Sequence, residues 1–220
     1  FDKGAHDFEA RFMGDDTFVG SSDIAATGED ATTLVFTGAT DGRGAYSDGA
    51  RVEVSLIDEA GDVVVGEPVR FELTGPSGSR SWSASTNANG IAGRTISLSE
   101  LPGGYTLVAR YDGRVRSLSG SSADTTFVVE KETSALDLSV SGKGAKRTIT
   151  AKLSENDGPA VAAQQIVFFA NGSEIGRATT NTNGVATLIP PASYRGGSFS
   201  FEGRFLGTDY YRNSSGSAQT

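Results

Sequence analysis

The chain has 220 residues, enough for one or two domains, with 37% hydrophobic residues and no cysteine. The lack of cysteine excludes disulfides, thiol chemistry and cysteine metal sites, so packing alone must stabilise the fold. The 19 basic and 27 acidic residues give a net charge of −8, which argues against nucleic-acid binding, and no apolar run approaches the ~18 residues of a membrane span.

One nine-residue phrase occurs three times and sets the organisation of the chain. The copies are His6–Gly14, Tyr105–Gly113 and Phe199–Gly207. Each has apolar or aromatic residues at alternate positions, followed by a small residue, Arg, an aromatic residue, any residue and Gly. The final glycines are 99 and 94 residues apart, which is the size of a small β-sandwich rather than of a solenoid repeat. The sequence therefore predicts a string of similar all-β modules.

The alternation within each copy is typical of a strand that turns one face toward a core. The predicted core-facing residues are Phe8, Ala10, Phe12, Tyr105, Leu107, Ala109, Tyr111, Phe199, Phe201, Gly203 and Phe205. The arginines Arg11, Arg110 and Arg204 fall on the opposite face, and the first and third have a Glu two residues earlier. An exposed ion pair is one interpretation of this arginine row, and an anionic ligand is the other.

The strands predicted in chain order divide the chain into segments 1–28, 29–130 and 131–220. Those of the second segment are Ala31–Thr37, Ala50–Ile57, Glu67–Leu73, Arg80–Ser85, Ile91–Leu98, Gly104–Asp112 and Leu118–Val129. Those of the third are Ala135–Val140, Arg147–Leu153, Gln165–Ala170, Glu174–Thr180, Val185–Ile189, Ser198–Leu206 and Ser214 onward. Seven short strands separated by turns predict one β-sandwich in each segment.

Segment 1–28 matches only the last two strands of a module. Because a lone hairpin is marginal in water, either the rest of that domain lies upstream or the hairpin completes a sheet in another chain. In the second segment, Arg94 occupies an inward position of its strand, which a bulge or an edge location would explain.

Two acidic turns occupy the same connection in the two complete modules. The first contains Asp58 and Asp62, and the second contains Glu155 and Asp157. Their oxygens are of the kind that Ca²⁺ prefers, but turn formation alone accounts for them and no full Ca²⁺-loop pattern is present. The sequence therefore predicts no cofactor, with Ca²⁺ at these four residues as the alternative.

Catalytic motifs are missing from the sequence. The single histidine, His6, has no Ser or Cys nucleophile motif beside it. The glycines stand singly at turns rather than in a phosphate-binding loop. The chain is therefore predicted not to be an enzyme.

The predicted strand Gln165–Ala170 carries an unusual outer face. Its alternation leaves Val167 and Phe169 outward, where the first module has charged residues. Either Ile175 on the next strand folds over this pair, or Val167, Phe169 and Ile175 form an interface between chains.

These motifs together resemble the bacterial immunoglobulin-like repeats of secreted and cell-surface proteins. The stretches that carry the resemblance are Thr32–Thr40, Tyr46–Ala50, Val69–Phe71, Asn89–Ala92, Pro102–Tyr105, Val167–Gly176 and Phe205–Tyr211. The resemblance implies tandem immunoglobulin-like β-sandwich domains without catalytic residues. It also implies a structural or adhesive stalk or fibre at the cell surface, with neighbouring immunoglobulin-like domains and a surface glycan or protein as partners.

Two alternative functions follow from the same resemblance. One is a carbohydrate-binding accessory region of a secreted enzyme, which would need an exposed aromatic platform. The aromatic candidates are Trp82, Tyr46, Tyr194, Tyr210 and Tyr211. The other alternative is a set of adhesin repeats stiffened by Ca²⁺.

The junction Glu130–Thr133 is short and charged and has no run of Gly, Pro or Ser, so it predicts a semi-rigid rod of modules. Small-angle X-ray scattering is expected to show an elongated particle with a narrow distribution of lengths. A compact particle, or a broad distribution of lengths, would contradict this prediction.

Overall fold

The computed structural model describes residues 7–15, 17–26, 28–38, 40–114 and 117–220, and its regular structure is almost entirely β. The chain divides into two compact units, Phe1–Gly44 with Asp48–Val129 and Ala45–Ser47 with Glu130–Thr220. No α-helix occurs in the described residues, although short 3₁₀ turns form at Gly144–Lys146 and Ala192–Tyr194. The prediction of an all-β chain is confirmed.

The first unit combines a hairpin with two sheets. Its strands are β1 (Asp7–Phe12), β2 (Ser21–Ala26), β3 (Thr32–Phe36), β4 (Arg43–Ala45), β5 (Gly49–Asp58), β6 (Pro68–Gly75), β7 (Gly78–Ser85), β8 (Ile91–Ser97), β9 (Gly103–Tyr111) and β10 (Ser121–Glu130). Strands β1 and β2 form an antiparallel pair. The other strands form a β3-β5-β8 sheet and a β4-β10-β9-β6-β7 sheet.

The core of the first unit lies between its two sheets. Alternate residues of β5, β6 and β9 face inward, and Val52, Phe71 and Leu107 have no exposed surface. On β7, Trp82 stacks on Phe71 with ring centroids 5.7 Å apart. The alternation predicted from the sequence therefore gives the burial that a sandwich requires.

The second unit is a sandwich of two smaller sheets. Its strands are β11 (Ser134–Ser141), β12 (Thr148–Glu155), β13 (Gln165–Ala170), β14 (Ser173–Thr179), β15 (Val185–Leu188), β16 (Ser200–Phe205) and β17 (Ser214–Gln219). They are ordered β11-β12-β15 and β14-β13-β16-β17. Ile149, Phe168 and Phe201 are fully buried between them.

The glycine that ends the repeated phrase has a left-handed backbone in all three copies. The φ angles of Gly14, Gly113 and Gly207 are 79°, 85° and 82°. A Cβ atom placed on Gly113 would lie 2.7 Å from the carbonyl oxygen of Leu118. Both the conformation and the close approach of the backbone just before β10 therefore require glycine at position 113.

A short parallel bridge joins the entry of the first unit to the residues just before its last strand, and we call it the entry clamp. The Asp30 N–H donates to the Ser117 carbonyl at 3.0 Å, and the Ser119 N–H donates to the Asp30 carbonyl at 2.9 Å. The Thr32 hydroxyl adds a 2.7 Å hydrogen bond to the Ser119 carbonyl. The entry segment is therefore held by two backbone bonds and one side chain.

The second unit repeats the entry clamp with different residues. The Glu132 N–H donates to the Tyr210 carbonyl at 2.8 Å, and the Arg212 N–H donates to the Glu132 carbonyl at 2.8 Å. The Ser134 hydroxyl donates to the Arg212 carbonyl at 2.9 Å, as Thr32 does in the first unit. The two units thus share a hydrogen-bonding device as well as a strand order.

Fourteen strands were predicted for the two complete modules, and each is present within a few residues of its expected position. The short strand β4 was not predicted, because three residues give too little alternation to recognise.

Arg94 pairs with Val52 in unbroken register. Because β8 lies at the edge of its sheet, the edge location explains the exposed Arg94.

The first copy of the repeated phrase departs from the prediction that its apolar face lies in a core. Every residue of β1 is exposed, with Phe8 at 46% and Phe12 at 48%. Within the described part of the chain, the β1-β2 hairpin is a separate two-stranded sheet without a second sheet packed on it. Alternation shows which side of a strand is apolar, but burial needs an opposing sheet.

The burial of Leu107 confirms its predicted central position and allows a test. Leu107→Ala is expected to lower the free energy of unfolding by about 2–5 kcal/mol, because it leaves a cavity in the core. Arg110→Ala, three residues along the same strand on the exposed face, should change it by less than about 0.5 kcal/mol. Equal effects of the two variants in denaturant melts would contradict the assignment of faces.

Candidate functional site

The arginines of the repeated phrase lie on exposed sheet faces, as predicted, but their surroundings differ. Arg204 makes two hydrogen bonds to the Glu202 carboxylate, at 2.7 and 2.8 Å. The bond from Arg204 lowers the pKa of Glu202. Arg11 lies 3.9 Å from Glu9. The ion-pair interpretation of the row therefore fits the first and third copies.

The middle copy lacks this ion pair because Val108 stands where the other copies have Glu. Arg110 lies directly opposite Arg70 on the neighbouring strand, and together they line a groove of about 350 Å³. Neither guanidinium has an ion pair within the part of the chain that the structure describes. Glu72 and Asp112 also line the groove, so its charges balance and it does not favour an anion over a cation.

The predicted outward pair on β13 is covered by arginine side chains. Val167 is only 3% exposed and lies between Arg177 and Arg204 on the two flanking strands. The Arg204 guanidinium lies 4.4 Å from the centroid of the Phe169 ring. Long cationic side chains can bury their aliphatic stems on apolar surface in this way.

One of the two alternatives predicted that Ile175 covers this pair. The structure places Ile175 elsewhere. It packs against the core of the second unit, beside an irregularity in the β13-β14 register at Phe168 and Phe169. An interface through Val167, Phe169 and Ile175 stays a prediction, and it would require the arginine stems to move aside.

The acidic turn of the first unit is held by its own hydrogen bonds. Asp58 is 6% exposed, and its Oδ1 accepts the N–H groups of Ala60 and Asp62 at 3.0 and 2.9 Å. In the second unit Glu155 is buried, whereas Asp157 is exposed. No group of three or more potential metal ligands occurs among the described residues, and the bonds of Asp58 explain its position by turn formation.

Three tyrosines that were candidates for an aromatic platform, Tyr46, Tyr210 and Tyr211, cluster in the second unit, and Tyr211 bonds to Glu155. The Glu155 Oε1 accepts the hydroxyls of Ser47 and Tyr211, each at 2.9 Å. Burial and the bond to Glu155 raise the pKa of Tyr211 well above its usual value. The Tyr46 ring packs 4.7 Å from Tyr210 and 5.7 Å from Tyr211. These rings pack on one another instead of forming a flat platform.

The other two aromatic candidates also pack locally. Trp82 lies against the core of the first unit, and Tyr194 packs edge-on against Phe199 in the second at 5.3 Å.

His6 lies outside the described residues. No helix in the described part of the chain is long and apolar enough to cross a membrane.

A basic pocket of about 460 Å³ in the second unit was missed by the sequence analysis. Lys143, Arg147 and Arg195 line it together with the hydroxyl-bearing Ser141 and Ser198. The signal that could have found it is the run Gly142–Arg147, which has three basic residues in six within an acidic chain. We call this site the basic pocket.

No protein-family model and no curated protein matches the chain. Among solved structures it is similar to invasin, a bacterial integrin-binding protein, with 19% identity and a TM-score of 0.52 over 86% of this chain and 38% of that one. It is also similar to a tetra-tandem repeat in the extending region of a large adhesion protein, with 15% identity and a TM-score of 0.47 over 100% of this chain and 56% of that one.

A third similar structure is the adhesin InvE of Yersinia pseudotuberculosis, with 16% identity and a TM-score of 0.40 over 86% of this chain and 58% of that one. The chain therefore spans between 38% and 58% of the length of these three proteins. The likeness to invasin concerns the fold, and with the sheet orders above it confirms tandem immunoglobulin-like β-sandwiches.

The hydrogen bonds of Asp58 suggest how the acidic turns respond to chelation and mutation. EDTA is expected to leave the melting temperature unchanged, because the turn's own hydrogen bonds account for the position of the carboxylate. Asp58→Ala should cost about 1–3 kcal/mol through the amides left without an acceptor, while the exposed control Asp157→Ala should cost less than about 0.5 kcal/mol. A fall of several degrees with EDTA that Ca²⁺ reverses would instead establish a metal site.

Proposed function

We propose that this chain is a non-catalytic, tandem immunoglobulin-like segment of a bacterial extracellular surface protein or fibre, where it acts as a structural or adhesive stalk. The observation that carries the proposal is the entry clamp, which both units possess. The partners are neighbouring immunoglobulin-like domains in the same or adjacent chains and a ligand at the surface. The fold shared with invasin, itself a bacterial integrin-binding protein, supports a place at the cell surface.

The entry clamp suits a protein under tension. Asp30 and Leu118 are paired in parallel, and Glu132 and Tyr211 are paired in the same way. When the two ends of a unit are pulled, the entry segment and the last strand are drawn in opposite directions along their lengths. Parallel neighbours then carry the load in shear, so the hydrogen bonds of the clamp must break together and not one after another.

The side chains of the clamp add to this resistance. Thr32 bonds the Ser119 carbonyl and also the Ser121 hydroxyl, at 2.7 and 2.8 Å. Ser134 bonds the Arg212 carbonyl and pairs with the Ser214 hydroxyl at 2.8 Å. Because the chain has no cysteine, such non-covalent contacts must supply the resistance that a disulfide provides in other extracellular domains.

Single-molecule force spectroscopy tests the load-bearing role. Asp30→Pro removes the N–H that donates to Ser117, and it should raise the unfolding rate of the first unit under force roughly 2- to 10-fold, as expected for one lost hydrogen bond. Asp30→Ala keeps the backbone N–H and serves as the matched control. The second unit, with its own clamp intact, is an internal reference in the same molecule.

The result is decisive in either direction. A change confined to the first unit and to the proline variant supports the proposed function. If the proline variant unfolds at the same force as the alanine variant and the unmodified chain, the clamp does not bear load and the proposal loses its main support.

A further inference from the structure

We propose that the basic pocket of the second unit binds the anionic group of an acidic polysaccharide. The site is separate from the entry clamp, and the proposal does not depend on the load-bearing role. The charge of the pocket is opposite to that of the chain as a whole. The chain carries a net charge of −8, yet Lys143, Arg147 and Arg195 line the pocket and no acidic side chain does.

The cationic groups of the pocket are not neutralised by the protein. Within the described residues, none of the three has a carboxylate partner within 4.0 Å. Elsewhere in the same unit, Arg177 and Arg204 are each paired with a glutamate. The pocket therefore retains positive charge that an external anion can neutralise.

Arg147 is the buried element of this site. It is only 5% exposed, and its two terminal nitrogens donate to the carbonyls of Tyr194 and Gly197, each at 2.9 Å. Its Nε is buried without a hydrogen-bond acceptor. The Arg147 guanidinium also lies 5.9 Å from the ring centroids of Phe199 and Phe201. A buried cation that meets neutral carbonyls and aromatic rings but no carboxylate is costly to desolvate, and an anion in the adjoining cavity would offset part of that cost.

The form of the pocket favours a sugar over a bare inorganic ion. Its volume of about 460 Å³ falls in the range of pockets that hold small organic ligands. Ser141 and Ser198, which carry hydroxyl groups, belong to its lining, and hydroxyl groups match the many hydroxyls of a saccharide. DNA fits less well, because its sugars carry few free hydroxyl groups for these side chains.

Isothermal titration calorimetry with four probes tests the proposal. The probes are dextran sulfate, hyaluronan, unmodified dextran and a single-stranded oligonucleotide. Binding is expected for dextran sulfate, hyaluronan or both, and the comparison shows whether sulfate or carboxylate is preferred. Affinity should fall as ionic strength rises, since the contact is ionic and partly exposed.

A pair of charge reversals locates the contact. Lys143→Glu reverses a charge in the pocket, while Lys152→Glu makes the same change in net charge on the exposed face of β12. Lys143→Glu is expected to weaken binding by about tenfold or more, the effect of losing a charge-assisted contact, and Lys152→Glu by less than about twofold. The melting temperatures of both variants confirm that the unit remains folded.

Several results would overturn the proposal. One is the absence of binding by both anionic polysaccharides. Equal weakening by the two charge reversals would show a general electrostatic effect and no defined site. Equal binding of unmodified dextran would remove the role of the anion, and tighter binding of the oligonucleotide would assign the pocket to nucleic acid.

Discussion

Apolar packing between two sheets is the constraint on which both units depend, because the chain has no cysteine to link them covalently. Leu107 in the first unit and Phe201 in the second belong to the cores between the sheets, and neither has any exposed surface. Each holds its sheets together by excluding water from the space between them. The β1-β2 hairpin shows the converse, since its phenylalanines remain exposed where, among the described residues, no second sheet lies against them.

The inner faces of the sheets must pack against one another, but the side chains on the outer faces can vary between copies. The same arginine of the repeated phrase is paired with Glu202 in one copy and faces Arg70 in another. The stems of Arg177 and Arg204 also shield the apolar Val167, which is a packing role for charged residues. Variation of this kind leaves the core unchanged, so similar sandwiches can carry different surfaces.

The entry clamp and the basic pocket use polar groups in opposite ways. In the clamp, backbone donors and acceptors satisfy one another, and the hydroxyls of Thr32 and Ser134 complete the bonding. The cations of the pocket have no carboxylate partners within the described chain, and the Arg147 Nε is buried without an acceptor. Satisfied groups favour mechanical strength, whereas unsatisfied charge favours an external ligand. The two features therefore suggest separate roles for the same second unit.

The sequence by itself determined the strands, the inward faces and the repeat, because a period of two and glycines at turns are local properties of the backbone. Only the tertiary structure decided whether an apolar face finds an opposing sheet, as for Phe8 and Leu107. It also decided which charges meet. The bond between Asp30 and Ser117 and the grouping of Lys143 with Arg195 join residues that are distant in sequence. Such proximity depends on how the strands assemble, which no local pattern records.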